Sequence, residues 1–386
     1  MTSEPGSFAY NTFKVRVPQI NDDIVGSNDF TPEITRAMHS LRDEITDGLI
    51  TPLWEHAADA QFWNASTDPW HGRSWLDVPW YWAEAYFYRR VLQATCYFQA
   101  GAWFGVDPYR RQKQAELMPL AAPAALSRVL RSVEPDDHQQ GFGMLFHASL
   151  WGNRTDLSYN VSNTVGPIRH TNDERDNLLV DDTELVWQHI RSSVCRKLVI
   201  INDNAGTELL MDLALVDYLL QHQLVDQITL HLKPQPFFVS DAMPDDVVES
   251  ISALSLLPEP LAGLSMRLSR FMATGQLKLI SHWYYCTGLF YFQIPGDLAR
   301  ELHDADLVIL KGDANYRRLL GDAHWSPASS FTHATAYFPT PFVALRTLKA
   351  ELIVGLGEGV AERLDRDDAQ WRVNGRRGVI QSNLGA

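Results

Sequence analysis

The spacing of hydrophobic and polar positions along the chain changes once, near residue 165. Before that point apolar residues recur with helical spacing, which begins where Thr31, Pro32 and Glu33 supply an N-cap, a proline at the first helical position and an acid in the first turn. This start predicts a helix to about Ile50, and helical spacing continues to roughly residue 150. The first thirty or so residues mix polar residues, glycine and proline, and we expect residues 1–30 to form an extended N-terminal arm.

Aromatic residues are concentrated in this helical half. Eight of the twelve tryptophans lie between Trp54 and Trp151, and the stretch WYWAEAYFYRRVLQATCYFQAGAWF (80–104) would be aromatic on nearly every face of a helix. Such a helix is typical of one surrounded by neighbours, so we interpret residues 31–165 as a helical domain. The weaker alternative is a set of aromatic platforms that stack bases or sugars, since aromatic cores are common.

After residue 165, short apolar runs alternate with helical spacing. Strands are predicted at 197–202, in QITLHLK (227–233), in ADLVILKGD and in PFVALRT, with a helix in TELLMDLALVDYLL (207–220). This alternation predicts a mostly parallel sheet covered on both faces, and therefore a three-layer α/β/α domain over residues 166–386. In such α/β folds, ligands bind outside the carboxyl ends of the strands.

Composition narrows the possible functions. A length of 386 residues predicts two domains or one large domain with a helical elaboration. A net charge of −14 with a pI near 5.3 argues against binding to nucleic acid or an anionic membrane surface. Cys96, Cys195 and Cys286 are far apart, which fits buried thiols in a reducing compartment. The N-terminus lacks the pattern of a signal peptide and no stretch reaches the roughly 18 apolar residues of a membrane span, so we expect a cytoplasmic protein.

Polar side chains follow the apolar runs at four places in the second half. These are Asp203-Asn204, then Ser240-Asp241 after FFV, then Lys311-Gly312-Asp313 after LVIL, and Arg346-Thr347 after FVAL with Lys349 close behind. Any one of them alone is more often a helix cap or a turn residue. Four such sets at corresponding strand ends predict a single functional site along one edge of the sheet.

The acidic members of this set have the chemistry of a metal site. Two carboxylates, Asp203 and Asp241, with the amide oxygen of Asn204 form a hard, oxygen-rich set that suits Mg²⁺ or Mn²⁺. Softer zinc sites are not indicated, because no cysteine or paired histidine lies nearby in the sequence. The histidines near these segments, His170, His231, His282 and His324, show no ligand spacing and are interpreted as structural.

The basic members predict a phosphate-binding recess. They are Lys311, Arg317, Arg318, Arg346 and Lys349, whose charged groups can donate hydrogen bonds to phosphate, although we expect at least one of Arg317 and Arg318 to be a solvated surface side chain. Hydrolysis of a phosphate monoester requires catalysis to supply about 20 kcal/mol or more, whereas one charged hydrogen bond contributes about 1.5–3 kcal/mol. Cations alone would therefore bind without catalysing, and a metal ion would supply much of the difference.

Four ordered motifs resemble one known family. INDNAGTELLMDLAL, HLKPQPFFVSD, LVILKGDANYRRLLGD and LRTLKAELIVGL are similar to motifs of the metal-dependent damage-control phosphatases, formerly domain of unknown function 89. The Arg-Thr-x-Lys subgroup fits best, and that subgroup has also been described as carboxyl methyltransferases acting on acidic residues. The resemblance extends upstream into PWYWAEAYFYRR, DPYRRQK and LWGNRTDLS, and so covers most of the chain from about residue 30.

The resemblance implies a helical N-terminal region, an α/β/α domain, and hydrolysis of small sugar phosphates such as fructose 1-phosphate or fructose 6-phosphate with Mn²⁺, Co²⁺ or Ni²⁺. The implied metal ligands are Asp203, Asn204 and Asp241. The implied substrate contacts are Glu208, which is linked in the subgroup to S-adenosylmethionine, the segment Asp313, Ala314, Asn315, Tyr316 and Arg317, and Lys349. Ala314 and Arg318 depart from the family's Asp-Leu-Asn-Tyr-Arg-Lys, which puts the substrate preference in doubt.

The leading hypothesis is a metal-dependent phosphatase in which a water or an aspartate attacks the phosphorus and Asp241 or Asp313 handles the proton. The second is an S-adenosylmethionine-dependent carboxyl methyltransferase, which ranks lower because the turn after Asp203 has one glycine, Gly206, and GLGEG (355–359) lacks the last glycine of the dinucleotide fingerprint. The third is a catalytically silent binder of metal or phosphate, or an interaction protein that uses the aromatic half. In LWGNRTDLS, Asn153 and Asp156 are predicted either to reach the site or to cap a helix.

Overall fold

The computed structural model describes residues 4–117, 121–134, 136–152, 177–192 and 195–385. The chain divides into two compact units, each assembled from three stretches. The first consists of Met1–Ala115, Lys233–Asp241 and Trp283–Leu289, and the second of Glu116–Leu232, Ala242–His282 and Phe290–Ala386. This division differs from the predicted boundary at residue 165, because two helices beyond residue 120 belong with the sheet.

Helices make up the first unit. They are Phe8–Asn11, the π-helical Thr12–Arg16, Val17–Ser27, Pro32–Asp47, Ala60–Thr67, the 3₁₀ turns Asp68–Trp70 and Trp75–Asp77, Trp80–Ala94, Arg110–Leu117 and the 3₁₀ turn Trp283–Cys286. Thr31 caps the fourth helix by accepting a hydrogen bond from the Ile34 N–H, as predicted. The expected extended arm is wrong, because residues 8–27 are helical and bury Phe13 and Ile24.

The aromatic residues of the first unit form its core. The helix Trp80–Ala94 buries every side chain from Tyr81 to Gln93, so it has no solvent face. Tyr86 lies at the centre, stacked on Trp82 at 5.1 Å and on Trp75 at 5.6 Å between ring centroids. The prediction of an aromatic core is therefore confirmed over that of exposed stacking platforms.

The second unit combines helices with one sheet. Its helices are Ala121–Ser132, His138–Trp151, Thr183–Arg191, Thr207–Gln221, Pro244–Ser255, Leu261–Thr274, Gly296–His303, Gly312–Leu319, Phe331–Ala334 and Val360–Asp367, with a 3₁₀ turn at Tyr291–Gln293. Within the described residues the strands are β1 (Leu178–Asp181), β2 (Lys197–Ile201), β3 (Gln227–Leu232), β4 (Leu277–Ser281), β5 (Leu307–Lys311), β6 (Phe342–Thr347) and β7 (Gly378–Asn383). No helix in these ranges is long and apolar enough to cross a membrane.

The strand order β1-β7-β6-β5-β2-β3-β4 places β5 in the middle of the sheet, with β6 on one side of it and β2 on the other. All neighbouring strands are parallel except β6 and β7, which confirms the mostly parallel α/β fold. The chain runs from β2 outward through β3 and β4, then returns to place β5 on the other side of β2. This reversal is a topological switch point, and its crevice lies at the carboxyl ends of β2 and β5.

Candidate active site

The turn after β2 carries Asp203 and Asn204 to the switch point. β2 ends at Ile201 and the next helix begins at Thr207, with Gly206 at φ 75° and ψ −140° joining them. This backbone conformation favours glycine, which accounts for the glycine in the motif. Both side chains are largely buried, so each needs a partner or a ligand.

The start of the helix after β5 packs directly against Asp203. Gly312 has φ +87°, and a Cβ atom at this residue would lie 1.9 Å from Asp203 Oδ2. No side chain fits there, so glycine is required both for its backbone conformation and for this close approach. The polar ends of β2 and β5 are thus brought together, as the sequence predicted.

Asn204 is held on its amide nitrogen by two carboxylates. Its Nδ2 atom donates to Asp203 Oδ2 and to Glu208 Oε2, both at 2.8 Å. Glu208 lies in the first turn of the helix that follows, which places it one turn beyond Asn204. Three residues predicted for the site therefore form one hydrogen-bonded group.

Lys311, the last residue of β5, is engaged inside the second unit. Its ammonium donates to the carbonyl and hydroxyl oxygens of Ser149 at 2.5 and 2.7 Å and to Asp212 Oδ1 at 2.8 Å, and it lies 3.2 Å from Glu208 Oε1. Burial would lower the pKa of Lys311, but Asp212 and Glu208 outweigh it and raise that pKa. Burial raises the pKa of Asp212 despite this cation. These contacts favour a structural role for Lys311 over the predicted contact with substrate.

Asp313 is fixed by the Arg-Thr-x-Lys segment. Its Oδ1 accepts hydrogen bonds from Arg346 Nε at 2.7 Å and from the backbone N–H of Lys349 at 3.1 Å. Burial would raise the pKa of Asp313, but the guanidinium groups of Arg346 and Arg317 hold that pKa below its ordinary value. A carboxylate with a lowered pKa is a weak proton carrier near neutral pH, which disfavours Asp313 for that predicted role.

The arginines of the predicted recess are internal. Arg346 also donates to the carbonyls of Leu352 and Ala350 and stacks on Tyr316, so its guanidinium organises the loop that follows β6. Arg317 forms an ion pair with Asp322 at 2.8 Å. The expectation that Arg317 or Arg318 is solvated at the surface is wrong, because both are buried.

The segment between Asp313 and Arg317 contributes mainly packing. Asn315 donates to the Lys311 carbonyl and accepts from the Tyr291 hydroxyl, so both ends of its amide are used. Tyr316 is buried, which raises its pKa to about 12, and it donates to Gln381. Ala314 is half-buried beside Asp313. Direct contact of these three residues with substrate stays a prediction.

Lys349 differs from the other cations. Its side chain is half-buried, and within the described residues no hydrogen bond or ion pair engages its ammonium group. The backbone of the same residue is fixed through Asp313. A positioned but unengaged ammonium group is suited to binding an anion.

Asp241 belongs to the first unit, at the end of its stretch Lys233–Asp241. The FFV run before it is not a strand, contrary to prediction, but a turn in which Phe238 and Val239 have φ of 44° and 64°. Left-handed backbone at a β-branched residue is strained, and such strain often occurs at functional segments. Within this unit Asp241 Oδ2 lies 3.1 Å from Lys233 Nζ.

Lys233 was not predicted as a site residue, although it lies in the HLKPQPFFVSD motif. Its buried ammonium also lies 6.0 Å from the ring centroid of Tyr285. Lys233 and Asp241 are eight positions apart in the sequence, and no regular spacing in a turn predicts their contact. Within the second unit, the N–H of Ala242 donates to the Asp203 carbonyl at 2.8 Å.

The ligands predicted for a divalent cation are two carboxylates, Asp203 and Asp241, and the amide of Asn204. In the described residues, no three His, Cys, Asp or Glu side chains are grouped so that they could hold a metal ion by themselves. The predicted set instead uses the Asn204 amide, and its nitrogen is turned toward Asp203 and Glu208. Carboxylate and amide oxygens fit a hard cation. Asn153 and Asp156 lie outside the described residues.

Sequence comparison identifies the family. Residues 12–364 match the Damage-control phosphatase ARMT1-like domain. The chain belongs to this family. Similar proteins named Damage-control phosphatase ARMT1 occur in Mus musculus (30% identical, covering 98% of this chain and 96% of the relative), Danio rerio (32%, 97% and 94%) and Homo sapiens (29%, 97% and 96%). The predicted resemblance is thus confirmed over nearly the whole chain.

A solved structure agrees with the fold of the family. A DUF89 family protein from Pyrococcus horikoshii matches with a TM-score of 0.50 over 97% of this chain and 98% of that chain, at 15% sequence identity. At this identity the likeness supports the fold alone. It confirms the predicted α/β class, and the roles of individual residues rest on the geometry described above.

The first glycine of GLGEG is accounted for by packing. β6 ends at Thr347, so this segment does not follow a strand directly. Gly355 has φ +79°, and a Cβ atom there would lie 2.5 Å from Gln381 Nε2. A glycine-rich turn between strand and helix, as used for nucleotide-type ligands, is absent from this part of the described chain, which disfavours the methyltransferase hypothesis.

Proposed function

We propose that this protein is a metal-dependent phosphatase that hydrolyses small phosphorylated metabolites, with sugar phosphates such as fructose 1-phosphate and fructose 6-phosphate as the first substrates to test. Membership of a family whose relatives are named damage-control phosphatases supports the reaction class. The observation that carries the proposal is the Asp203-Asn204 turn at the switch point, packed against Gly312.

Asp203, Asn204 and Asp241 are the proposed ligands of the cation, for which Mn²⁺, Co²⁺, Ni²⁺ and Mg²⁺ are the candidates. When bound, such an ion polarises the phosphoryl group and stabilises the charge that develops on its oxygens. Asp203 is fixed by the close approach of Gly312 and by the Asn204 amide, so its carboxylate is held before any ligand arrives. Fixed ligands reduce the cost of ordering the site on binding.

Lys349 is the proposed contact for the transferred phosphate. Arg346 and Lys311 already donate to acceptors of this chain, whereas the Lys349 ammonium has no partner among the described residues. The Lys349→Ala variant should lose about 1.5–3 kcal/mol of binding, which corresponds to roughly 10- to 150-fold in kcat/KM, mainly through KM. Steady-state kinetics measures this, with Lys278→Ala at an exposed position of β4 as the control.

Lys278→Ala should leave both constants unchanged. If Lys349→Ala changes neither kcat nor KM, the phosphate contact lies elsewhere. If both variants lose activity equally, the effect reflects the loss of positive charge in general.

Asp241 or Asp313 is the proposed proton carrier, and the lowered pKa of Asp313 counts against that carboxylate. The attacking group is either a water molecule or an aspartate. Rapid quenching with a ³²P-labelled substrate would separate the two, since only an aspartate forms a phospho-enzyme.

The decisive experiment measures phosphate release from a panel of sugar and nucleotide phosphates by protein reconstituted with each metal. Turnover should be lost with a chelator and in Asp203→Ala, while circular dichroism shows that the fold survives. Methyl transfer from S-adenosylmethionine to a carboxylate, without phosphate release, would favour a methyltransferase instead. Absence of turnover with every substrate and metal, in a folded sample, would refute the proposal.

A further inference from the structure

The amide of Asn204 has a single compatible orientation. An amide nitrogen carries two hydrogens, and here Nδ2 lies 2.8 Å from one oxygen of Asp203 and 2.8 Å from one oxygen of Glu208. Turning the amide over would place its oxygen against both carboxylates, which cannot donate when ionised. The two carboxylates therefore direct the Asn204 oxygen away from themselves.

Glu208 is itself held on both oxygens. Oε2 accepts from Asn204, and Oε1 lies 3.2 Å from the Lys311 ammonium. Each oxygen thus has a different donor, so the carboxylate cannot rotate without losing one of them. Glu208 is also buried, which removes water as a replacement donor.

Lys311 is fixed from the other side. Its ammonium donates to both oxygens of Ser149 and to Asp212, and its side chain is 1% exposed. An ammonium group offers three donors, and these acceptors with Glu208 occupy them. The position of this cation is therefore set by the sheet and by the helices that carry Ser149 and Asp212.

We propose that Glu208 and Lys311 are positioning residues for the cation site. Lys311 fixes Glu208, and Glu208 with Asp203 fixes the Asn204 amide so that its oxygen is presented to the divalent cation. This inference rests on the proposed metal site. It also explains the amide at position 204: a carboxylate there would be repelled by Asp203 and Glu208, whereas an amide donates to both and still offers an oxygen.

The sharpest test is Glu208→Gln, because glutamine has the same shape but a single oxygen. That oxygen can serve either Lys311 or Asn204, and the NH₂ group must then oppose the other donor. The variant should bind Mn²⁺ on the order of 10- to 100-fold more weakly than wild type, the usual effect of losing a group that orients a ligand. Isothermal titration calorimetry of the metal-free protein with MnCl₂ measures this without any substrate.

Asp217→Asn is the matched control. Asp217 is a buried carboxylate on the same helix, paired with Arg267 at 2.8 Å, and it has no hydrogen bond to Asn204. Its Mn²⁺ affinity should stay within about twofold of wild type. Unfolding in urea with EDTA, performed on both variants, separates the positioning role from a general loss of stability, which would lower metal-free stability and leave affinity unchanged.

Asn204→Asp is a second and independent test, also usable if Glu208→Gln does not fold. If residue 204 only supplied an oxygen, a carboxylate would bind Mn²⁺ as tightly or more tightly, since it adds negative charge. The positioning role predicts weaker binding, because the new carboxylate cannot donate to Asp203 and Glu208.

The outcomes distinguish the two proposals. Wild-type protein that binds none of the four cations would refute the metal site, and this inference with it. Wild-type protein that binds Mn²⁺, with Glu208→Gln or Asn204→Asp binding equally well, would overturn the positioning role and leave the metal site standing. Weaker binding in both variants, with Asp217→Asn unchanged, supports the positioning role.

Discussion

Each unit of this protein contains a buried ionic cluster in which one cation meets two carboxylates. In the first unit Arg89 pairs with Asp59 through two parallel hydrogen bonds, at 2.7 and 2.9 Å, and with Glu55 at 2.7 Å. In the second unit Lys311 pairs with Asp212 and Glu208. Each cluster joins one basic residue to one aspartate and one glutamate. The contacts that link each cluster to the rest of its unit differ.

The planar guanidinium of Arg89 is locked by the bidentate pair and lies 4.6 Å from the ring centroid of Phe98. Two amides touch this cluster, Gln235 through a hydrogen bond of 3.3 Å to Asp59 and Gln99 through one of 3.4 Å to Glu55.

The Lys311 cluster instead reaches the turn after β2, where the Asn204 amide is held by two shorter hydrogen bonds. Burial of charge is thus common to both units, and the attachment of a strand-end amide is what singles out the second. A buried ion pair alone is therefore weak evidence for function.

The largest effect that would sharpen this comparison is expected for Gly312→Ala. The new methyl group would overlap Asp203 Oδ2, so the carboxylate must move, and the left-handed backbone adds strain. A loss of several kcal/mol from displaced ligands corresponds to about 1,000-fold in activity or more. Phosphate release and Mn²⁺ titration measure the effect.

Gly275→Ala is the control for backbone strain. Gly275 has φ +74°, close to that of Gly312, but nothing lies within 4 Å of the position of its Cβ atom. We expect a loss of about 1 kcal/mol in unfolding free energy and unchanged activity. Equal losses of activity in the two variants would show that strain, and not the contact with Asp203, is responsible.

The next largest effects are expected when each cluster loses its basic residue, Lys311 or Arg89. Lys311→Met and Arg89→Met each leave two buried carboxylates without their cation, so each should lower the unfolding free energy by about 3–5 kcal/mol. Only Lys311→Met should also weaken Mn²⁺ binding, by roughly 10- to 100-fold. Urea unfolding with EDTA and calorimetric titration provide the two readouts, and an equal loss of affinity in both variants would break the distinction.

The smallest effect concerns His231, a buried residue of β3 in neither cluster. Burial, together with the neighbouring His282, lowers the pKa of His231 to about 4. Because the unfolded chain binds this proton below pH 6.5 and the folded protein does not, stability is lost as the pH falls from 6.5 to 4, by about 3 kcal/mol. The unfolding free energy of the wild type should fall as the pH is lowered across this range, and that of His231→Gln should fall less steeply. An unchanged slope would assign it to other groups.

Much of this arrangement could be predicted from the sequence, because strand-end polarity and helix caps are local signals. Thr31 as a cap, β2 before Asp203, and β5 before Gly312 are all where the pattern placed them. The partners of each side chain could not be predicted. Ser149 and Lys311 are 162 residues apart, and only the completed fold brings the hydroxyl to the ammonium.

The predictions that proved wrong failed for the same physical reason, which is that tertiary contacts overrode a local signal. At least one of Arg317 and Arg318 is expected at the surface since charged residues usually are, but Asp322 provides a counter-ion that allows Arg317 to be buried. The FFV run has the composition of a strand, yet tertiary packing gives Phe238 and Val239 left-handed backbone. The prediction of an extended arm is wrong because apolar residues of this segment, such as Phe13, are buried in the core of the first unit.

The first unit draws its residues from three separated stretches, and this has a consequence for biosynthesis. After residue 115 has left the ribosome, this unit still lacks Gln235 and Cys286, which are translated more than a hundred residues later. The first unit therefore stays incomplete while β1 to β4 of the second unit are synthesised. A gene fragment that stops between the units would therefore yield an incomplete body, and neither unit can be exchanged between proteins as one contiguous cassette.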